Sequence, residues 1–177
     1  MVKKLARFFA YLGFFVLALT YFAPKTSVYH LLEKELKTYG VVISAETTRD
    51  NGFTFDVENA NVSFKGIDSA VVESINLKAF LLYNSISANG VTLSSAANSF
   101  VPLKVQNADV VYSIFNPLNV TAFAQGEFGE ADVSFNLLER TLHLELQPSK
   151  VMLQKYKSTL RNLKKSQEGD YVYDKTF

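Results

Sequence analysis

The sequence predicts a mainly β protein of the α+β type, tied to a membrane by one N-terminal helix. Three patterns predict it. Residues 5–23 form a nineteen-residue apolar run. Apolar and polar residues alternate with a period of two from Val41 to Leu146. Two stretches of helical period, at 26–39 and 149–165, flank the alternating region.

The run LARFFAYLGFFVLALTYFA carries one charge, Arg7, near its start. At about 1.5 Å per residue it makes roughly 28 Å of helix, against a hydrocarbon core of about 30 Å. A helix satisfies its own backbone, which lipid cannot do. Aromatic residues stand at both ends, with Tyr11 and Tyr21 suited to the interfacial belts. Lys3, Lys4 and Arg7 have no acid near them, so the positive-inside rule keeps the N-terminus in the cytoplasm. The expected division is a cytoplasmic stub at 1–4, an anchor at 5–23 and an extracytoplasmic β-rich domain at 24–177. A cleaved signal peptide is the alternative. The run exceeds an apolar core of about 7–15 residues, and the cleavage sites around Ala18-Leu19-Thr20 and before Pro24 are poor.

The net charge of +1 conceals a partition. Residues 1–25 hold four basic residues and no acids, residues 26–146 seven basic and fourteen acidic, and residues 147–177 seven basic and three acidic. An acidic middle is a poor phosphate-binding surface, which argues against a nucleic-acid partner. Without cysteine, a disulfide scaffold and thiolate metal sites are excluded.

Pro24 stops the anchor and Ser27 is a plausible cap for the next helix. Val28, Leu31, Leu32, Glu35, Leu36 and Tyr39 form its stripe, and Gly40 ends it. This short amphipathic helix either caps one end of the sheet or lies on the membrane surface. Beyond it the alternation predicts eight to ten antiparallel strands, with Asp50-Asn51-Gly52 and Asn116-Pro117 as turns. Phe53, Phe55 and Val57 are odd-numbered, whereas Val62 and Phe64 are even, so a bulge or break is expected at 58–61. A loose repeat recurs as ENANVSF at 58–64, QNADVVY at 106–112 and GEADVSF at 129–135. ANGVTL at 88–93 fits with Gly90 added, either as a bulge in a continuous strand or as a hairpin turn. Such a recurring strand suits a long curved sheet, either an open trough or a sandwich. Ser149 then caps a C-terminal amphipathic helix with Met152, Leu153, Tyr156, Leu160 and Leu163 as its stripe, and residues 170–177 form a last strand.

Chemistry is sparse. His30 and His143 share no evident ligand spacing, and the carboxylates are scattered among strands. There is no nucleophile elbow, phosphate-cradling loop or HExxH, so no cofactor, metal or catalytic residue is assigned. Two surfaces remain. Phe53, Phe55, Val57, Phe64, Phe128 and Phe135 are candidates to line an apolar groove. Lys150, Lys157, Arg161, Lys164 and Lys165 form either a solvated face or a contact with a partner or an anionic lipid surface.

The order of stub, anchor, proline, helix and Tyr39-Gly40-Val41-Val42, followed by VENANV at 57–62, ESINL at 73–77 and NSISA at 84–88, resembles the type II secretion protein N family and the wider AsmA-like group. GEADVSF at 129–135, LHLELQP at 142–148, a helix and GDYVY at 169–173 resemble the former. The resemblance implies a bacterial inner-membrane protein with a periplasmic sheet, which in AsmA-like relatives curls into a trough that accommodates lipid chains. The chain is also similar in layout to the bitopic component of lipopolysaccharide export. The expected function is non-enzymatic: a scaffold or assembly component of a secretion or envelope-biogenesis system, with other envelope proteins as partners. The alternative is lipid or glycolipid binding and transfer by an apolar β-trough. A reporter active only outside the cytoplasm, fused after Phe177, is expected to be active. A shortened chain beginning near Leu19 or Tyr21 would instead mark a cleaved signal.

Overall fold

The computed structural model describes residues 2–80, 82–167 and 169–177. Its first helix, α1 (Val2–Phe22), is long and apolar enough to cross a membrane and is almost wholly exposed. Two residues later α2 (Lys25–Thr38) begins. Its cap position is Pro24, which makes no side-chain hydrogen bond, so Ser27 lies inside the helix and does not cap it. Gly40, at φ +83°, ends it as expected.

Eleven strands follow, more than the alternation suggested: β1 (Val41–Ser44), β2 (Thr47–Asp50), β3 (Thr54–Phe64), β4 (Ile67–Ala79), β5 (Tyr83–Leu93), β6 (Lys104–Ser113), β7 (Asn119–Gly126), β8 (Gly129–Asn136), β9 (Thr141–Pro148), β10 (Lys164–Lys165) and β11 (Tyr171–Thr176). They form one antiparallel sheet in the order β1-β3-β4-β5-β6-β7-β8-β9-β11-β10, with β2 also on β3. Consecutive hairpins dominate, so the sheet is a meander. Among the described residues the strands belong to this one sheet.

The register sorts the side chains. Partner residues share a face, and the chain Phe55–Leu77–Ile86–Val110–Ala122–Val133–Leu144–Tyr173 is apolar across eight strands. The opposite face carries Asp56, Asn76, Ser87, Asp109, Asp132 and Glu145, interrupted by Phe123 between the last two aspartates and followed by Val172. This is the one-sided pattern of an antiparallel sheet.

The expected break lies at Asn59, which has φ +56°. It is a reversal of the pleat with no residue inserted. Glu58 pairs with Ser74 and Ala60 with Val72, so the register is unchanged across it; the pairing irregularity in β3 comes later, at Val62/Ser63. The reversal continues sideways. In β5 the pairs Asn89–Ser74 and Val91–Val72 flank Gly90, at φ +63°, which lies within a continuous strand and not at a turn. A Cβ there would meet the Glu73 carboxyl at 2.3 Å. Apolar positions therefore change parity at one level in several strands and stay on one face.

Two clusters cover parts of that face. Tyr29 of α2 packs on Phe55, Val57, Ala60 and Val72. At the other side, α3 (Lys150–Lys155) and α4 (Lys157–Leu160) bring Met152, Tyr156 and Leu160 onto Phe128, Ala131 and Leu146. Ser149 caps α3 as expected, accepting from the Met152 N–H at 3.1 Å. The single helix expected at 149–165 is not formed. Tyr156, at φ −115° and ψ 34°, divides it, and Lys164 and Lys165 pair as β10 with Val172 and Tyr171.

Among the described residues α1 meets the sheet at one end only. Tyr21 packs edge-on to Phe53, with ring centroids 5.3 Å apart. Lys25 is buried; its Nζ donates to the carbonyl of Thr20 at 2.9 Å and to those of Tyr21 and Ala23 at 3.3 and 3.4 Å, and lies 3.9 Å from Asp50. A cation among the last carbonyls of a helix complements its dipole.

Gly129 tests the backbone between β7 and β8. At φ +115° it faces the Gln147 carbonyl, and a Cβ would stand 2.0 Å from that oxygen. Gly129→Ala is expected to cost more than the about 1–3 kcal/mol of backbone strain alone. Gly66→Ala, at φ +79° with nothing within 4 Å, is expected to cost only about 1 kcal/mol. Thermal unfolding of the two variants checks the order.

Candidate functional site

The site that emerges is the uncovered part of the apolar face. α2 forms its wall in an unexpected orientation. The face turned to the sheet holds Lys25 and Tyr29, which are buried, with Leu36 half-buried. Of the predicted stripe, Val28, Leu31, Leu32, Glu35 and Tyr39 are exposed and Leu36 is half-buried. The physical reason is the junction: Lys25 is held by the end of α1, and Tyr29, one turn on, follows it onto Phe55.

Turned this way, α2 overhangs the sheet. Val28 and Leu32 join Tyr29, Phe55, Leu77 and Ala79 around a recess of about 100 Å³. A second recess of about 220 Å³ shares Leu77 and Ala79 with it and extends over Ile86, Val110 and Tyr112. Ile86 and Val110 are about two-fifths exposed, at 40% and 39%. Apolar side chains at the centre of a sheet are normally far better covered. The surface between the two helical segments is therefore a largely apolar floor open to solvent, with Asn84 set in it between Ala79 and Tyr112.

The structure separates the residues singled out from sequence. Phe55 and Val57 are buried together beneath Tyr29. Phe53 lies at the anchor end, between Tyr21 and Phe80. Phe64 is exposed at the opposite end, beneath the Lys65 ammonium. Phe128 belongs to the other cluster, under Met152. Phe135 sits on the apolar face beside Phe177, with centroids 6.3 Å apart. The six do not line one groove. Leu77, Ile86, Val110 and Tyr112 were missed as lining residues. The apolar alternation marks each of them, but only cross-strand pairing shows them adjacent.

The basic residues are likewise divided. Lys150, Lys157, Arg161, Lys164 and Lys165 are all exposed. Lys157 and Arg161 border a hollow with Leu153, Leu160 and Tyr171, whereas Lys164 and Lys165 are on β10 and pair with residues of opposite sheet faces. They form no single helical face.

The polar face has a shallow hollow of about 260 Å³ bordered by Asp109, Asp132, His143 and Glu145. His143 Nδ1 lies 2.7 Å from Asp174 Oδ1 across the β9–β11 pair, and His30 Nδ1 lies 3.4 Å from Glu33 Oε2 one helical turn on. Both histidines thus have acidic partners; the second pairing was visible as an i, i+3 spacing. Among the described residues no group of three or more His, Asp or Glu is placed to hold a metal ion.

Compared with protein-family models, with curated proteins and with solved structures, the chain matches none.

One ionisable group at the recess is perturbed. Burial, the charges of Glu46 and Glu33, and a hydrogen bond to Glu46 push the Tyr29 hydroxyl up to about 12. The protonated form is the one the fold favours, so this stability is present below the ordinary value of about 10 and is lost as pH rises through 12. Tyr29→Phe is expected to lose less stability between pH 10 and 12 than the parent, by roughly 2 kcal/mol. Unfolding followed across that range in both proteins checks it.

Proposed function

We propose that this chain is a membrane-anchored, non-enzymatic lipid-binding protein whose uncovered sheet face forms a shallow trough for acyl chains. The observation that carries this reading is the exposed floor of Leu77, Ile86, Val110 and Tyr112 beside the overhanging Val28 and Leu32. Apolar surface of this kind is stabilised by about 25 cal/mol for each Å² removed from water. An acyl chain supplies such cover without needing hydrogen-bond partners, which the floor largely lacks. The anchor keeps the trough beside a source of lipid. Charge placement around residues 5–23 supports a cytoplasmic N-terminus with the sheet on the far side of an inner membrane, in the periplasm.

A scaffold role in a secretion or envelope-biogenesis complex is the second reading. The resemblance to the type II secretion protein N and AsmA-like groups supports it, and so does the sheet edge. Among the described residues β1 and β2 pair only with β3, so their outer edge is available to a partner's strand.

The test uses the full chain in vesicles containing a phospholipid with a photoreactive group midway along one acyl chain. Crosslinks are expected in peptides from β4, β5 and β6 as well as in α1. Val110→Asp places a charge on the floor at a half-exposed position and is expected to reduce the sheet crosslinks roughly tenfold, leaving those in α1 unchanged. Crosslinks confined to α1 in the parent protein would exclude the trough.

A further inference from the structure

The meander places alternate turns at opposite ends of the sheet. One end is marked by the anchor, through the Tyr21–Phe53 contact, the Lys25–Asp50 pair and Gly52, where a Cβ would stand 2.2 Å from the Tyr21 ring. From the register, the β4–β5, β6–β7 and β8–β9 turns and the end of β11 all lie at this end. Their tips carry Leu82, Ile114, Phe115, Leu118, Leu138 and Phe177, all exposed. Phe115 and Leu138 are 83% and 75% exposed. Tight turns in water favour Gly, Asn, Asp and Ser. The anchor-side turns also hold Asp50-Asn51-Gly52, Asn116-Pro117 and Glu139. The opposite end has Lys65-Gly66, the helical turn Ser95–Ser99 and Glu127, with Phe64, Ile67 and Phe100 exposed, so what sets the anchor side apart is its larger number of exposed apolar tips.

A second feature accompanies the apolar tips. Several of their backbone donors are satisfied within the protein. Leu138 N–H and Glu139 N–H both donate to Asn136 Oδ1 at 2.9 Å. Phe115 N–H donates to Ser113 Oγ, Ile114 N–H to the Leu82 carbonyl, Leu137 N–H to the Leu118 carbonyl and Phe177 N–H to the Arg140 carbonyl. A turn that enters a medium poor in water needs this. Cations also stand beside the apolar tips: Arg140 follows Leu138 by two residues, and Lys175 Nζ lies 4.6 Å from the Phe177 ring centroid, as long basic side chains do at an interface.

We propose that this anchor-side rim is seated in the interfacial layer of the leaflet from which α1 emerges, so that its partner is bilayer lipid. Continuity with the anchor selects that partner. Only Ala23 and Pro24 separate α1 from α2, and the junction is closed by Lys25, so the rim begins where the membrane-spanning helix ends. The trough would then open at its anchor end onto acyl chains. The proposal rests on α1 lying in a bilayer and not on lipid occupying the trough.

The chain contains no tryptophan, so a single one reports its own surroundings. Phe115→Trp and Leu138→Trp alter side chains that stand largely in the open, and Ile67→Trp supplies a control at the opposite end. Each full-length variant is placed in vesicles of phosphatidylcholine and phosphatidylglycerol, with or without bromine on the upper acyl chain. Alkaline extraction first reads retention of α1. Blue-shifted emission quenched by brominated lipid at 115 and 138, with red, unquenched emission at 67, is the expected result. Red, unquenched emission at 115 and 138 would place the rim in water and overturn the proposal. Blue-shifted but unquenched emission would place it against protein and also overturn it. Release of the chain by alkali would remove the anchor on which the proposal rests. None of these results depends on crosslinking at Val110, so failure of the rim and failure of the trough are read separately.

Discussion

A sheet with one apolar face must keep that face out of water, and here no second sheet performs the task. Everything else in the molecule answers to that constraint. The pleat reversal at Asn59 and Gly90 preserves the sidedness. Without it, the apolar residues beyond the break would alternate to the wrong side, since successive side chains of a strand point oppositely. Glu73 lies between the two, and its carboxyl occupies the space that a side chain at position 90 would need. A polar side chain thus fills the defect on the solvent side, while Val57, Ala60 and Val72 close over it on the other.

Cover for the face comes in two separate pieces. One cluster is organised by a single tyrosine from α2, the other by three residues from α3 and α4. Between them the central strands are held mainly by their hydrogen-bonded ladders and by cross-strand pairs of modest size, such as Ala108–Ala124. Small residues at Ala108 and Ala122 keep the floor low where the helices do not reach. The uncovered region is therefore a consequence of where the helices attach as much as of which residues form the strands.

Much of the architecture was readable because its signals are local. The apolar run, the two-fold alternation, the Gly40 stop, the Ser149 cap and the parity change near Asn59 each lie within a few residues. What was misread depends on distant partners. The apolar stripe of α2 suited either the sheet or a membrane surface, and only the reach of Lys25 back to the carbonyls of α1, which turns Tyr29 inward, shows which side meets the sheet. The C-terminal period ran through Lys165, yet Val172 and Tyr171 offered a strand partner and the helix gave way at Tyr156. The groove candidates are five phenylalanines and Val57, spread over both ends of the sheet. The observed floor is made mostly of aliphatic residues from β4, β5 and β6, whose adjacency depends on pairing that no short window contains.

Lys25 also decides what kind of connection joins the anchor to the sheet. A two-residue link would ordinarily act as a swivel. Here one ammonium group bonds three carbonyls at the end of α1 and faces the carboxylate of Asp50 at the end of β2, while Tyr21 and Phe53 interlock beside it. The connection is thus a clamp. With α1 in a bilayer, as proposed, tilting or rotating it would swing the whole sheet as a lever, and a load on the sheet would be felt as torque on the helix. A change in membrane thickness could in this way be converted into a change in where the apolar face points.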